Sequence, residues 1–331
     1  MIGCTSFTLT SKNQKHFLSR TMDFGMEMAQ QVEFVPKNKA TIINYTGEQK
    51  TTKYSYLGIG QRQQDHVILF DGINDQGLMG ATLYFPRFAT YNKKSDNEKD
   101  NPAPYHVISY ILGEYSSLAE VEAAFKNKIN ILNQISPTIK KVPPLHFIFS
   151  DETGRSLIIE PQQDGLHIID NSVGVMTNSP DYRWLETNLR NYLSVIPQQH
   201  EPVEFLGKKL DPFSQGSGTF GLPGDYTPVA RFVRAAFLKH YTWQPKDEIE
   251  AITLSHHILE AESIPKGAVV TPDGGIDYTC YAAYMCAESH SFYYSTYNNQ
   301  RIHRVQLDKL KDSTDYQTFK IDNSEDIKDV N

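Results

Sequence analysis

The sequence predicts an α+β fold in a single domain, with β-sheets covered by helices. Three features imply it. Alternating, β-forming segments stand at both ends of the 331-residue chain, with helical periodicity between and after them. No internal repeat, low-complexity linker or shift in composition divides the chain. Residues that are 39% hydrophobic and 11% aromatic supply enough apolar surface for one large core.

Cys4 to Thr10 and Lys15 to Met22 alternate and are rich in β-formers, with a polar turn at Lys12-Asn13 that predicts a hairpin. Val32 to Val35, Val67 to Phe70 and Leu78 to Phe85 read as further strands. Helical spacing follows at Tyr105 to Glu114. A second helix begins at Ser117-Leu118-Ala119-Glu120, which has the capping-box form. Strands return at Leu145 to Phe149, Ser156 to Glu160, Gly165 to Ile169 and Val173 to Met176. Ser179-Pro180 and Thr227-Pro228 each offer a capping hydroxyl followed by a first-turn proline. They open helices over Trp184 to Leu193 and Ala230 to Tyr241. A further helix covers Glu248 to Ala261. Strands at Tyr278 to Met285, Phe292 to Tyr297 and Ile302 to Val305 precede an acidic tail from Asp322 that is expected to fray.

Composition removes several function classes. The formal net charge is −7 with no lysine-arginine cluster, which disfavours a nucleic-acid partner, because phosphate affinity comes from grouped cations. Charged residues at 21% indicate neither disorder nor a coiled coil. No apolar run approaches the ~20 residues that cross a bilayer, and Met1 to Leu9 lacks a signal peptide's apolar stretch. No membrane partner is expected. Cys280 and Cys286 lie roughly 20 Å apart along a strand-like run, too far for a disulfide. A cytoplasmic location is the default expectation.

Gly216-Ser217-Gly218-Thr219-Phe220-Gly221 fits G-x-G-x-x-G, but no strand precedes it and no helix opens at once, so it reads as a surface loop. His256-His257 reads as a pair of helix histidines without ligand spacing. Asn44-Tyr45-Thr46 is a sequon without meaning in a cytoplasmic protein.

Cys4 is the strongest candidate for chemistry. Removal of a Met1-Ile2-Gly3 leader would leave it with a free α-amine beside its own thiol. That amine has a pKa of about 7.7–8.0, so nucleophile and base reside in one residue. Ile2 disfavours simple loss of the initiator methionine, so exposure implies cleavage at Gly3-Cys4, which the thiol itself can perform. A two-residue Lys12-Asn13 loop would pair Cys4 with Thr21 and place Asp23 diagonally on the same face, where it could hold the α-ammonium. Arg20 then faces away unless a slip or bulge intervenes. At about 4 Å from the sulfur it would contribute roughly 4 kcal/mol of attraction to a thiolate. A plain surface pair between Arg20 and Asp23 is the alternative.

These residues resemble the choloylglycine hydrolase family of bile salt hydrolases and penicillin V acylases. The likeness extends over Cys4, Arg20-Thr21-Met22-Asp23, Gly72-Ile73-Asn74 to Gly77-Leu78, Gly174-Val175-Met176-Thr177-Asn178-Ser179-Pro180, Gly221-Leu222-Pro223-Gly224-Asp225, Ala230-Arg231-Phe232 and Ile264-Pro265-Lys266-Gly267. The resemblance implies an N-terminal nucleophile hydrolase, a four-layer αββα sandwich spanning residues 4 to 331, assembled as a homotetramer. It implies a small-molecule amide substrate and no cofactor or metal. Cys4 would be the nucleophile, Asp23 would orient its amine and Arg20 would support the thiolate. The Asn178 side chain and the Tyr84 backbone N–H would form the oxyanion hole, and Arg231 would stabilise charge.

Tyr84 in Leu83-Tyr84-Phe85-Pro86 resembles the penicillin V acylases, where an aromatic ring can stack on a phenoxy group; the bile salt hydrolases usually carry asparagine there. That favours phenoxyacetate and 6-aminopenicillanic acid as products. The alternatives are cleavage of glycine- or taurine-conjugated bile acids, cleavage of N-acyl homoserine lactones, or a binding protein that is never processed. The substrate pocket is expected in loops after Met22, around Gly58 to Gln64 and around Ile129 to Val142, with Met22, Tyr84 and Ile135 as its contacts.

Overall fold

The computed structural model describes residues 3–25, 28–42, 48–64 and 66–331; Met1, Ile2 and the Asn44 sequon lie outside them. Two antiparallel sheets form the centre. The seven-stranded sheet runs Val175–Met176, Ser6–Thr10, His16–Phe24, Ile276–Cys286, Ser291–Thr296 and His303–Gln306, with Val269–Val270 paired onto Ile276–Cys286. The eight-stranded sheet runs Gly165–Asp170, Ser156–Gln162, Leu145–Ser150, Met79–Tyr84, Val67–Asn74, Tyr56–Arg62, Gln31–Val35 and Gln317–Phe319.

Helices α1 (Val107–Glu114) and α2 (Leu118–Asn127) cover the outer face of the eight-stranded sheet, burying Val107, Ile111 and Val121 against Phe147, Phe149 and Ile159. After α3 (Tyr182–Asn188), helices α4 (Pro228–Tyr241) and α5 (Glu248–Glu262) cover the other sheet. The larger core cluster includes Leu18, Ile73, Ile148 and Met285 together with Phe232 and Leu259 of α4 and α5. The result is the αββα sandwich.

Thr227 caps α4 as expected, its Oγ1 accepting from the Ala230 N–H at 3.3 Å. Ser179 does not cap α3. Asp181 does, and Ser179 instead donates to the Pro86 carbonyl at 2.7 Å, tying this segment to the end of the Met79–Tyr84 strand. Gly216–Gly221 is a loop with one 3-10 turn, Ser217–Thr219. His256 Nδ1 shares a hydrogen bond of 2.7 Å with the Tyr284 hydroxyl, joining α5 to the Ile276–Cys286 strand. The tail has no regular structure, yet it is held by the Arg301–Asp326 pair. Cys4, Cys280 and Cys286 are all free. Among the described residues, no helix is long and apolar enough to cross a membrane.

Candidate active site

The first hairpin decides where the thiol points. Its strands pair Ser6 with Arg20 through to Thr10 with His16. The Ser11 N–H donates to the Lys15 carbonyl at 2.9 Å, and Gln14 takes a φ of 59°. The loop is therefore Lys12-Asn13-Gln14, a three-residue turn closing on a left-handed residue, not the two-residue Lys12-Asn13. One extra residue slips the register by one and exchanges the faces. Gly3, not a diagonal neighbour, lies opposite Asp23. Cys4 falls on the face of Arg20 and Met22, while Asp23 turns to the other side. No bulge in this hairpin is needed to bring Arg20 to the sulfur.

Arg20 Nη2 lies 2.8 Å from Cys4 Sγ, and Met22 Sδ lies 4.0 Å from it. The Cys4 N–H, an amide while Gly3 is attached, donates to Asn178 Oδ1 at 2.9 Å. Asn178 Oδ1 also accepts from Arg231 Nη2 at 2.7 Å, which fixes the orientation of the amide. Asn178 Nδ2 then donates one hydrogen to the Tyr84 carbonyl at 2.7 Å and keeps its second for another acceptor. Arg231 Nη1 reaches the Cys4 carbonyl and Thr5 Oγ1, both at 2.7 Å, and lies 3.7 Å from Asp23 Oδ2. Asp23 Oδ1 accepts from Thr279 Oγ1 at 2.6 Å. The six predicted catalytic residues thus converge, with Asp23 joined to Cys4 through Arg231 and its own backbone.

Charge is set by burial. Burial pushes the Cys4 thiol up; Arg20 opposes this most strongly, Asp23 adds to it, and the Asp23 N–H and Arg231 oppose it. With Gly3 attached, the Cys4 nitrogen is an amide and cannot take the proton. Burial likewise raises the Asp23 carboxyl against the pull of Arg231. Arg20 stays charged despite burial, because the thiol, the Tyr281 hydroxyl and Asp71 surround it.

Three partners were not visible as site residues in the sequence. Arg20 Nη1 donates to Asp71 Oδ2 at 2.6 Å across the gap between the sheets, and the Tyr281 hydroxyl donates to the same oxygen at 2.5 Å. Thr279 and Tyr281 are two apart, so a regular strand would present them on one face. The register shift between them, at Cys280, sends Thr279 to Asp23 and Tyr281 to Asp71. A second shift in the Tyr56–Arg62 and Val67–Asn74 pair falls at Phe70, beside Asp71. Asp71 carried a signal, a charge inside the apolar run Val67 to Ile73. The bulges carried none.

Beside the sulfur opens a narrow, mostly apolar cavity of about 80 Å³, lined by Met22, Phe24, Met28, Phe70, Tyr84 and Ile139 among others. Met22 and Tyr84 are where the sequence puts them. Ile135 is not: its side chain is 63% exposed, and only its carbonyl is engaged, accepting from the Tyr105 hydroxyl at 3.3 Å. Ser136, Thr138 and Ile139 of the same loop border the cavity instead. Of Gly58 to Gln64 only Gln61 lines the cavity, and residues up to Arg62 belong to a strand and not to the expected loop.

Residues 4–319 match the family model of linear amide C–N hydrolases, choloylglycine hydrolase family. The chain is 34% identical over 330 residues to a bile salt hydrolase/transferase of Clostridium perfringens, covering 99% of this chain and 100% of that one. It is 33% identical over 306 residues to a bile salt hydrolase/transferase of Lactiplantibacillus plantarum, covering 92% of each. Its fold matches the crystal structure of a variant of conjugated bile acid hydrolase from Clostridium perfringens with a TM-score of 0.92 at 33% identity, over 99% of this chain and 100% of that one. Penicillin V acylase from Agrobacterium tumefaciens shares the fold at a TM-score of 0.74 and 21% identity, over 93% of this chain and 87% of that one. A thiol against a buried guanidinium, an amide side chain beside it and a likeness that spans the chain lead to one conclusion: the protein belongs to the choloylglycine hydrolase family and is a linear amide C–N hydrolase.

Proposed function

We propose that the processed enzyme cleaves the amide of glycine- or taurine-conjugated bile acids through a thioester on Cys4. The observation that carries this substrate class is the full-length likeness to bile salt hydrolases, at 34% identity, against a fold-level likeness to a penicillin V acylase. The apolar lining of the cavity beside the thiol suits an apolar acyl group, and its volume of about 80 Å³ must widen to admit a steroid. Cys4 Sγ attacks the amide carbonyl carbon and its proton passes to the Cys4 α-amine. The oxyanion is held by the spare Asn178 Nδ2 hydrogen and the Tyr84 N–H. The amine leaves with the proton from the α-ammonium, and water, activated by the freed α-amine, hydrolyses the thioester. Arg20 balances the thiolate. The exposed apolar residues Phe205, Leu206 and Phe213 around the Val203–Phe205 and Lys208–Leu210 hairpin support the homotetramer as part of this proposal.

The α-amine becomes available only by cleavage at Gly3-Cys4, and Gly3 itself is held closely. A Cβ on Gly3 would stand 2.3 Å from Arg231 Nη2 and 2.7 Å from Asn178 Oδ1. Gly3→Val is therefore expected to keep its three leader residues, Met1, Ile2 and the introduced valine, and stay inactive, while wild type yields a species beginning at Cys4. Intact mass reads both, and leader removal from Gly3→Val at the wild-type rate would overturn it.

Penicillin V hydrolysis is the second reading, carried by Tyr84, which lines the cavity. Processed enzyme is expected to hydrolyse glycocholate at least about tenfold faster than penicillin V at equal concentration. Tyr84→Asn is expected to widen that ratio. A faster rate with penicillin V would reverse the substrate assignment and leave the mechanism intact.

A further inference from the structure

Arg231 has a companion one turn along α4 that touches nothing in the reaction centre. Arg234 is 7% exposed and uses all of its nitrogens: Nη1 donates to the Pro223 and Asp225 carbonyls at 2.7 and 3.2 Å, Nε to the Ala261 carbonyl at 3.0 Å and Nη2 to Glu262 Oε2 at 2.9 Å. Arg231 Nε donates to the next carbonyl in the same loop, that of Tyr226, at 3.1 Å. The two arginines therefore grip one loop, and Arg231 spends its remaining nitrogens on Cys4, Thr5 and Asn178. Glu262 ends α5 fully buried, and its Oε1 has no hydrogen-bond partner among the described residues. The loop from Pro223 to Tyr226 lies at or near the surface, so packing alone cannot fix its carbonyls. A buried ion pair is also costly to maintain where apolar packing would serve.

We propose that Arg234 and Glu262 are positioning residues, fixing the Pro223–Tyr226 carbonyls so that Arg231 presents its guanidinium edge to Cys4 and Asn178. The inference rests on Cys4 and Asn178 being the reaction centre, and goes beyond it in naming what holds Arg231. The charged groups that face Glu262 are Arg234 and Arg231 from α4 and Asp23 from the His16–Phe24 strand. Burial raises the Glu262 carboxyl to about 7, the arginines oppose this and Asp23 adds to it. Below that pH Glu262 is neutral and holds Arg234 without charge.

The test pairs two conservative variants of the processed, full-length enzyme. Arg234→Lys keeps the charge beside Glu262, yet one ammonium cannot serve Pro223, Asp225, Ala261 and Glu262 together. Its kcat on glycocholate or penicillin V is expected to fall about tenfold or more, with KM little changed, because a misplaced catalytic group costs rate and not binding. In wild type the acid limb of kcat should contain two ionisations, that of the Cys4 amine and a second near neutrality; Glu262→Gln should retain only the first. Wild-type kcat in Arg234→Lys, or an unchanged pH profile in Glu262→Gln, would overturn the proposal. A crystal structure of Arg234→Lys gives a readout that needs no substrate. Arg231 Nε should leave the Tyr226 carbonyl, and an unmoved Arg231 counts against the proposal. Should wild type hydrolyse neither substrate, the substrate assignment fails while this structural readout still decides.

Discussion

Cys4→Ala is expected to abolish amide hydrolysis, lowering kcat on the order of ten-thousand-fold or more, while the fold is kept. The expectation rests on the uniqueness of its surroundings. Cys280 and Cys286 are also buried, but burial pushes each thiol up to about 12 with no guanidinium beside it to compensate. Only Cys4 has one, Arg20 Nη2 at 2.8 Å, and only Cys4 gains an α-amine when the leader is cut. Losing one sulfur atom leaves Arg20 with its bonds to Asp71 and the Thr82 carbonyl, so the unfolding midpoint should move little. The variant should also retain Met1-Ile2-Gly3. Initial rates, intact mass and circular dichroism on one preparation check all three. Turnover near the wild-type rate would place the nucleophile elsewhere.

How far the sequence reached follows from what each element depends on. The hairpin was legible as two alternating runs, but its register depends on loop length, and Lys12-Asn13 is as acceptable in a three-residue turn as in a two-residue one. That single residue separated the expected face of Arg20 from the observed one. Thr227-Pro228 declared α4 because hydroxyl, proline and helix are contiguous. Ser179-Pro180 offered the same signal two residues before the true cap, Asp181, and its hydroxyl was taken by Pro86. The Tyr56–Arg62 strand was missed because glycines at Gly58 and Gly60 weaken its pattern. These glycines are required where Asp71 and Ile68 carbonyls would lie 1.9 and 2.2 Å from an added Cβ. Arg20 and Asp23 were candidates from the hairpin itself, whereas Asn178 and Arg231 came only from family resemblance. Thr279 and Tyr281 were not found, because their roles are created by a bulge at Cys280 that no residue type announces.

Asp71 gives the second large prediction. Arg20 and Asp71 are both fully buried and meet at 2.6 Å between the two sheets, so each charge depends on the other. Asp71→Ala leaves the guanidinium buried without its carboxylate, which is expected to cost about 3–5 kcal/mol of stability. It also removes the anchor that turns Arg20 Nη1 away from the sulfur, so Arg20 Nη2 loses its aim at Cys4. A further fall in kcat of about a hundredfold is expected from that misplacement. Tyr281→Phe separates the two effects. It deletes hydroxyl bonds to Asp71 and Arg20 while leaving both charges, so it should cost only about 1–3 kcal/mol. Denaturant unfolding measures the stabilities, and the pH dependence of Cys4 alkylation reads the thiol directly. If Asp71→Ala is as stable as Tyr281→Phe and its thiol titrates as in wild type, the ion pair between the sheets does not hold Arg20. The aim of the guanidinium must then come from the Thr82 carbonyl and Met22, which share Nη2 with the sulfur at 3.2 and 3.6 Å.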